Sequence, residues 1–358
     1  MKKVMVGMSG GVDSSVAALL LRDQGYEVMG VTLKLFGDED IAQAEKEGKT
    51  CCALNDVLDA RSVAYRLGFE HLVFNFKDHF RQYVMKQFSE AYLAGRTPNP
   101  CIECNRHVKF DKMLRRAEEL GYDYIATGHY AVNEYDEASG RWLLKRPADR
   151  SKDQTYVLYS LTQEQLSHTL FPLGGLEKSQ VRKIAEEAGL VNSGKPDSQD
   201  ICFVPDGDYA GYIKRSTGTE CPEGDFISTD GKVLGRHKGI INYTIGQRKG
   251  LGIALGKPAY VVKKDVSANT VTIGDESDLY TSSLIADDFN LISVPEITAP
   301  MRVTAKTRYS QKEQAAVVSY LGGGEYLVEF DQPQRAVTSG QAVVLYDGDI
   351  VVGGGTIK

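Results

Sequence analysis

The C-x-x-C motif formed by Cys101 and Cys104 is the part of this sequence best suited to thiol chemistry. It stands at the predicted start of a helix, and basic residues follow it at Arg106 and Lys109. A helix N-terminus and nearby cations both favour the thiolate, which is the nucleophilic form of cysteine. A structural zinc site would need a second cysteine pair or a histidine pair at ligand spacing, and the sequence offers neither. The motif therefore predicts a reactive thiol, with a pair of buried small residues as the alternative.

Cys202 is a further candidate, because it lies in a polar loop after a predicted helix and could return to the sheet. The adjacent Cys51 and Cys52 open a predicted helix, where simple packing is the better interpretation, and Cys221 has no predicted role. Six cysteines without a secretory signal are typical of cytosolic thiols used for catalysis or metal binding. We therefore expect a cytoplasmic protein.

A glycine-rich loop at residues 7–14, G-M-S-G-G-V-D-S, is the second feature that could do chemistry. It follows one apolar segment and precedes another, so we expect a strand, a tight turn and a helix. Such a turn presents backbone N–H groups and the positive end of a helix dipole to a phosphate. The hydroxyls of Ser9 and Ser14 could donate to phosphate oxygens, and Asp13 could hold a Mg²⁺ that bridges them. The alternative is a turn that only connects the strand to the helix.

This loop differs from the best-known phosphate loops. A Walker loop needs a lysine before its final Ser or Thr, where this chain has Val12 and Asp13. The dinucleotide fingerprint G-x-G-x-x-G is also absent. The stretch instead resembles the S-G-G-x-D-S loop of the ATP pyrophosphatases, enzymes that cut ATP between its α and β phosphates.

The elements that must position these residues alternate between strands and helices. Predicted strands cover residues 3–6, 27–35, 72–74 and 124–126, and predicted helices cover residues 16–21, 54–67, 80–93, 108–120 and 178–188. This alternation indicates a doubly wound parallel sheet that is covered on both faces. Because ligands bind at the carboxyl ends of parallel strands, the glycine loop and Gly128 should face one site.

From about residue 206 onward, the pattern changes to short alternating strands separated by turn residues. Many short strands in one run without helices indicate a small closed β-barrel at the C-terminus. We therefore expect an α/β protein whose organisation changes near residue 206. The family resemblance described below implies three parts, a nucleotide-binding catalytic domain at 1–205, a small central domain at 206–280 and a β-barrel domain at 281–358.

Charge is distributed unevenly along this chain of 358 residues, whose net charge is −6. Residues 236–264 contain seven Lys or Arg and no acidic residue, and residues 77–116 carry nine basic residues against four acidic ones. Segregated basic surfaces can bind a phosphate backbone even on an acidic protein, although each segment could also be an ordinary solvated surface. No apolar run approaches the length that crosses a membrane, so we expect no membrane partner.

Taken in order, the motifs resemble one family closely, the tRNA-specific 2-thiouridylases, which replace the C2 oxygen of wobble uridine 34 by sulfur. The resemblance extends over essentially the whole chain. Its motifs are residues 7–14, G-R-T-P-N-P at 95–100, A-T-G-H-Y at 126–130, K-D-Q at 152–154, I-C-F at 201–203, G-Q-R-K-G-L-G at 246–252 and K-T-R-Y at 306–309. The glycine loop alone would indicate only a superfamily, whereas the whole series is specific.

The resemblance implies roles for individual residues. ATP would be held by Gly7, Met8, Ser9, Gly10, Gly11, Val12, Asp13, Ser14, Leu33 and Gly128. Cys104 would be the catalytic nucleophile and Cys202 would carry a persulfide sulfur, and the two could form a disulfide. Contacts to the target base and to the rest of the tRNA would come from Asn99, Pro100, Cys101, His129, Lys152, Asp153, Gln154, Arg308, Tyr309 and Gln341.

The resemblance also implies the partners and leaves two rival functions to weigh. The substrates would be ATP with Mg²⁺ and the tRNAs for Lys, Glu and Gln, a cysteine desulfurase or sulfur relay protein would supply sulfur, and the chain would act as a monomer. One rival is another ATP pyrophosphatase acting on a small metabolite, which would not need the cysteine pair. The other is an RNA-binding protein with an inert glycine loop, which would not need Asp13.

Two positions depart from the family pattern. Many members have Asp where this chain has Cys101, and many have Met where it has Leu33. That Asp is a proposed acid or base, so a thiol or a water molecule would have to do its work here. Cys101, Cys104 and Cys202 could instead ligate an iron–sulfur cluster with one iron left open to carry sulfide, a hypothesis that ranks second to persulfide chemistry.

Overall fold

The computed structural model describes residues 1–35, 37, 54–196, 201–204 and 206–358. The polar stretch at 38–50, whose composition predicts a loop, and the pair Cys51 and Cys52 lie outside the described residues. The described part confirms the predicted fold class, an α/β region with a parallel sheet followed by a small central domain and a closed β-barrel.

A parallel sheet covered on both faces forms the core of the N-terminal part. The strands of this part are β1 (Lys3–Gly7), β2 (Glu27–Lys34), β3 (His71–Asn75), β4 (Tyr124–Thr127), β5 (Val132–Asp136), β6 (Arg141–Lys145) and β7 (Thr169–Leu170). The sheet has the order β3–β2–β1–β4–β7, and all its neighbours are parallel. Val4 and Val6 of β1 pack in one apolar cluster and Met5 in another, because successive side chains point to opposite faces. The doubly wound arrangement follows from this double burial.

Helices cover this sheet, and their positions agree with the predicted pattern. They are α1 (Val12–Asp23), α2 (Leu54–Leu67), α3 (Lys77–Phe80), α4 (Lys86–Leu93), α5 (Pro100–Glu103), α6 (Met113–Glu119), α7 (Gln163–Ser167) and α8 (Lys178–Glu187). A π-helical stretch at Arg81–Met85 joins α3 to α4, and a second one at Cys104–Lys112 joins α5 to α6. π-Helical stretches are rare in proteins overall, and those that occur are often found at functional sites.

The central part combines one helix with a four-stranded sheet. Its elements are α9 (Tyr209–Thr217), β8 (Gly224–Ser228), β9 (Val233–His237), β10 (Tyr260–Asp265) and β11 (Thr270–Gly274). The strand order is β10–β11–β8–β9. The prediction of a run without helices from residue 206 was therefore wrong at α9, which ends at Gly218 in the left-handed conformation.

The C-terminal strands close into a barrel, as predicted. They are β12 (Tyr280–Leu291), β13 (Met301–Lys306), β14 (Gln314–Gly322), β15 (Glu325–Arg335), β16 (Ala342–Asp347) and β17 (Ile350–Ile357). The order β12–β15–β14–β13–β16–β17 is closed by pairing of β12 with β17. The hairpin of β5 and β6 extends this sheet through β17, where Ile350 pairs with Lys145. The catalytic part and the barrel are therefore joined by a continuous sheet.

Across the described ranges, no helix is both long and apolar enough to cross a lipid bilayer.

Candidate active site

The glycine loop lies between β1 and α1 at the carboxyl end of the parallel sheet, as predicted. Gly10 has φ +76°, and a Cβ there would lie 2.4 Å from the backbone oxygen of Asp56, so only glycine fits this position. Gly11 has an ordinary extended backbone with φ −86° and caps α1. The Ser14 hydroxyl accepts from the Ser9 N–H at 3.2 Å and donates to the Gly11 carbonyl at 3.1 Å. Ser14 therefore shapes the loop, and its hydroxyl proton is already used within the protein.

Neighbouring strands and loops support the glycine loop from behind. The Met8 N–H donates to the Val31 carbonyl at 2.7 Å, and the Thr32 hydroxyl donates to the Met8 carbonyl at 2.8 Å. A Cβ at Gly128 would lie 2.6 Å from the backbone nitrogen of Ser14, so β4 ends against the loop. The predicted proximity of Gly128 and the glycine loop is thus present in the structure.

Asn192 and Lys195 hold the loop from a third side, and sequence reasoning missed both. The Asn192 side-chain amide donates to the Gly10 carbonyl at 2.9 Å and to the Ser15 hydroxyl at 2.8 Å. The Lys195 ammonium contacts the carboxylates of Asp56 and Asp59 on α2 and lies 3.4 Å from the Gly10 carbonyl. These residues lie far from the loop in sequence, so no local pattern could have predicted them.

The carboxylate of Asp13, the predicted magnesium ligand, is paired with a lysine side chain. The Lys178 ammonium lies 2.7 Å from each carboxylate oxygen, and the Tyr130 hydroxyl donates to one of them at 2.9 Å. The Lys178 side chain is 11% exposed and that of Asp13 is 29% exposed. Lys178 is a functional candidate that sequence reasoning missed, because it begins an amphipathic helix and belongs to no motif.

The predicted tRNA-contact segment at 152–154 is connected to the same carboxylate. Gln154 accepts from the Tyr130 N–H at 2.8 Å, and its own N–H donates to the Tyr130 carbonyl. Asp153 accepts from the N–H and hydroxyl of Thr155, and Lys152 is half-buried. Tyr130 therefore connects this segment to Asp13, because its hydroxyl donates to the Asp13 carboxylate.

His129, predicted to contact tRNA, is placed in the interior. Its ring lies 5.7 Å from that of Phe110, and its Nδ1 lies 2.7 Å from the Thr127 hydroxyl. Burial, followed by the charge of Lys109, holds the pKa of His129 well below its ordinary value. A tRNA contact would need this ring to be uncovered first.

Cys101 and Cys104 occupy opposite environments on the same helix. Asn99 caps α5 by accepting from the Cys101 N–H at 3.1 Å, and Pro100 begins it. Cys101 is exposed, whereas Cys104 is 7% exposed within an apolar cluster. The predicted activation of this thiol was wrong for the described conformation. Burial raises the pKa of Cys104 to about 11, and the opposing charge of Lys109 does not offset this rise. Burial outweighs the helix terminus because it removes water from the charged form.

Cys202 packs against the apolar cluster that contains Cys104. The ring of the following residue, Phe203, lies 5.7 Å from Phe80 and 5.2 Å from Phe88, which fixes the segment against α3 and α4. Cys104 and Cys202 are not joined by a disulfide in the structure.

The cysteine residues do not form a metal site in the part of the chain that the structure describes. No group of three His, Cys, Asp or Glu there is placed to hold a metal ion. Cys104 is enclosed by apolar side chains while Cys101 faces solvent. The described arrangement of Cys101, Cys104 and Cys202 therefore does not fit the iron–sulfur hypothesis.

A cleft of about 260 Å³ lies where all three parts of the chain meet. It is lined by Thr97, Thr244, Arg308, Tyr309, Ser310, Thr338 and Gln341. Gln341 donates to the Thr97 carbonyl at 2.7 Å, and one Arg308 nitrogen donates to the Ala336 carbonyl and the Thr338 hydroxyl, each at 2.7 Å. The Arg308 Nε and the Thr97 hydroxyl are buried without a hydrogen-bond partner. Two polar atoms of the residues that line the cleft are therefore left unsatisfied in the interior.

Tyr309 connects this cleft to the cysteine motif. Burial, and then the charges of Asp153 and Cys101, raise the pKa of its hydroxyl. The side chain is 44% exposed, and its ring lies 6.0 Å from that of Tyr156. The charges of two other predicted contact residues, Cys101 and Asp153, therefore act on Tyr309.

The two basic segments are less available than the sequence indicated. In the central segment, Arg236 pairs with Asp225 and Lys257 pairs with Asp275, while burial lowers the pKa of Lys264 to about 8. Exposed positive side chains remain at Lys238, Arg248, Lys249 and Lys263. In the other segment, the Arg106 guanidinium forms two hydrogen bonds with the carboxylate of Asp288 in β12, which ties the cysteine helix to the barrel.

Fold and site together define a class of protein: a nucleotide-loop α/β domain with a cysteine pair, joined to a central sheet domain and a β-barrel. A family model described as a tRNA methyl transferase HUP domain matches residues 2–206. A tRNA methyl transferase PRC-barrel domain matches residues 210–275, and an aminomethyltransferase beta-barrel domain matches residues 281–357.

Full-length relatives identify the family within this class. The chain is 57% identical over 357 residues to the tRNA-specific 2-thiouridylase MnmA of Acetivibrio thermocellus, with coverage of 100% of this chain and 99% of that one. It is 54% identical to the protein of the same name from Clostridioides difficile, covering 100% and 98% of the two chains. The chain belongs to the tRNA-specific 2-thiouridylase family.

Proposed function

We propose that this protein is a tRNA-uridine 2-sulfurtransferase that converts the wobble uridine, U34, of the tRNAs for Lys, Glu and Gln to 2-thiouridine. ATP is consumed to AMP and pyrophosphate, and the sulfur comes from a persulfide on Cys202. The reaction takes place in the cytoplasm, with a monomeric enzyme loaded by a cysteine desulfurase or a sulfur relay protein. The division into domains at 1–205, 206–280 and 281–358 is part of this proposal.

The observation that carries the proposal is the presence of two chemistries in one chain. A phosphate loop that requires glycine at position 10 occupies the carboxyl end of the sheet. A thiol pair, Cys104 and Cys202, shares one apolar cluster. The family models are described by methyl transfer and the relatives by thiolation. A loop for ATP and a thiol pair serve thiolation, since an activated oxygen must be displaced by sulfur.

Activation of the base is the first step. The uridine C2 oxygen attacks the α-phosphate of ATP, an oxygen–phosphorus bond forms, and pyrophosphate leaves. The loop N–H groups at residues 10–12 and the N-terminus of α1 stabilise the departing charge. Leu33 contributes an apolar wall, since it packs against two of the apolar clusters.

Sulfur transfer is the second step. The terminal sulfur of the Cys202 persulfide attacks C2 and displaces AMP, and the Cys104 thiolate then attacks the Cys202 Sγ. A Cys104–Cys202 disulfide forms, the bond between the Cys202 Sγ and the transferred sulfur breaks, and that sulfur stays on C2 as 2-thiouridine. In the alternative order, Cys104 attacks first and releases hydrosulfide, which displaces AMP. Either order leaves the disulfide, which a cellular dithiol must reduce before the next turnover.

The environment of Asp13 fits the divalent cation that accompanies ATP. Its carboxylate already stabilises the positive charge of Lys178, and it lies on the first turn of α1. Mg²⁺, when bound, neutralises phosphate charge and favours departure of pyrophosphate. Asn99, Pro100 and Cys101 are proposed to flank a base turned out of the anticodon stack, near Tyr309.

Cysteine variants test the proposal. Cys104→Ser and Cys202→Ser should abolish 2-thiouridine formation in a reaction with tRNA, ATP, Mg²⁺ and a sulfur source, while Cys221→Ser, the control, keeps it. All three should still release pyrophosphate in a first turnover, because the base is activated before sulfur is needed. Full thiolation by both active-site variants would contradict the persulfide mechanism.

A further inference from the structure

Lys306, the last residue of β13, carries a positive charge at the junction of the barrel and the catalytic part. Its ammonium lies 5.9 Å from the centre of the Tyr309 ring and 6.0 Å from the centre of the Tyr156 ring. Tyr156 is fully buried, and its hydroxyl donates to the Ala342 carbonyl at 2.9 Å. Tyr309, in contrast, is 44% exposed. The ammonium therefore lies beside one fixed ring and one ring that borders solvent.

The two carboxylates whose charges act on Lys306, those of Asp153 and Glu313, are bound by other groups. The Arg146 guanidinium forms two hydrogen bonds with Glu313, and its Nε lies 3.7 Å from Asp153. The other Asp153 oxygen accepts from the N–H and the hydroxyl of Thr155. Within the described ranges, no carboxylate forms an ion pair with the Lys306 ammonium.

The loss of hydration at the half-buried Lys306 is not compensated within the chain. Burial lowers the pKa of its ammonium, and the nearby charges of Asp153 and Glu313 do not restore the ordinary value. An ammonium that loses water without gaining an anion is costly, and contact with aromatic rings offsets only part of that cost. A negatively charged oxygen of a ligand would supply the missing compensation.

The proposed tRNA site surrounds this ammonium. Tyr309 and Asp153, both implied to contact tRNA, act on Lys306 through its ring contact and its charge. Cys101, implied to flank the target base, acts in turn on Tyr309. A base is turned out of its stack by rotation of the sugar–phosphate backbone, so the phosphates on either side of it lie at the edge of the pocket. The anion that suits Lys306 is therefore an RNA phosphate.

We propose that Lys306 binds one of the two phosphates that flank the target uridine and so positions the extruded nucleotide beside Tyr309. This inference rests on the proposed function, because it assumes that the anticodon of tRNA binds at this junction. The ring contacts hold the ammonium in place before RNA arrives, so little side-chain freedom is lost on binding. A phosphate contact fixes the register of the RNA, and other residues read the base.

The salt dependence of tRNA binding tests this inference. The full chain is titrated with unmodified tRNA for lysine in a filter assay at several KCl concentrations. Loss of one phosphate contact in Lys306→Met should make the slope of log K against log [KCl] shallower by about 0.7 to 0.9. Affinity at the lowest salt should fall about tenfold, the effect of one charge-assisted hydrogen bond. Lys306→Arg keeps the charge and should keep the slope.

Lys358→Met is the matched control, because Lys358 also lies on the barrel, has a side chain that is 48% exposed and pairs with Glu325. It should bind tRNA with the slope of the unmodified chain. Anticodon stem–loops with a neutral methylphosphonate on one side or the other of U34 locate the contact. One of the two substitutions should weaken binding to the unmodified chain and leave binding to Lys306→Met unchanged.

A slope that Lys306→Met leaves unchanged, even at lower affinity, would show a structural role and overturn the inference. The same holds if neither methylphosphonate distinguishes the unmodified chain from Lys306→Met. Both results would leave the proposed function intact. Failure of the unmodified chain to bind this tRNA would overturn the proposed function itself, and the inference with it.

Discussion

Alkylation of Cys104 in the free protein is expected to be much slower than alkylation of the same thiol in the unfolded chain. Burial raises the pKa of Cys104 from 9.0 to about 11. At pH 8 the thiolate fraction therefore falls from about 10% to about 0.1%, roughly a 100-fold loss. A less acidic thiolate is intrinsically more nucleophilic, which returns a factor of about 6 to 10. Ionisation alone should thus slow the reaction by about tenfold, and the 7% exposure of the residue slows it further.

The assay follows iodoacetamide modification over time at pH 8 by peptide mass spectrometry. Cys101 and Cys104 fall in one tryptic peptide, residues 97–106, so the Cys101→Ser chain is used to isolate the Cys104 rate. The same chain in concentrated urea gives the unfolded reference. Addition of tRNA with a non-hydrolysable ATP analogue should speed the reaction, because a nucleophile must be uncovered before it acts.

Modification of native Cys104 within about twofold of the urea rate would refute the reasoning. The same pKa shift has a consequence for stability. Because the folded-state pKa lies above the unfolded value, the stabilisation is complete below about pH 9 and is lost as the pH rises through about 11. Cys104→Ala should flatten the pH dependence of the urea midpoint in that window.

Three further predictions concern the loop, the interior histidine and the junction of the domains. Gly10→Ala should lower the free energy of unfolding in urea by about 3 kcal/mol or more, because it adds a backbone clash to the cost of a positive φ. The control Gly25→Ala, whose Cβ would meet nothing within 4 Å, should lower it by only about 1–2 kcal/mol. Equal losses for the two variants would contradict the clash. Burial lowers the pKa of His129, so the folded state loses stability as the pH falls below about 6.5. His129→Phe should therefore reduce the fall in the urea concentration at the unfolding midpoint between pH 7 and pH 5. An unchanged fall would contradict this prediction. Gln341→Ala removes the hydrogen bond to Thr97 and should cost about 1 kcal/mol in unfolding and weaken tRNA binding in a filter assay, and an unaltered affinity would show that the junction does not support the tRNA site.

The sheet and its helices could be predicted because their signals are local. The helix Leu54–Leu67 ends at the predicted residue, because the Gly68 that follows it is a local stop signal. The hairpin of β5 and β6 could not be predicted in this way. Its strand β6 pairs with β17, which lies about two hundred residues later in the chain. Pairing across that distance leaves no pattern in the local sequence.

The candidate site shows the same division between local and distant causes. The glycine loop is a contiguous motif, so its position at the sheet edge could be predicted. Lys178 reaches Asp13 across 165 residues, and nothing around it marks the contact. The environment of Cys104 was mispredicted because a helix N-terminus is visible in the sequence, whereas the apolar cluster that encloses the thiol comes from several distant segments.

Nucleoside mass spectrometry of the complete reaction tests the central claim most directly. Unmodified tRNA is incubated anaerobically with the protein, ATP, Mg²⁺ and a sulfur source, and nucleotide products are followed in the same tube. We expect 2-thiouridine at the wobble position, formed with AMP and pyrophosphate in equal amounts. Neither 2-thiouridine nor AMP from folded protein would contradict the assignment of this chain as a tRNA-uridine 2-sulfurtransferase.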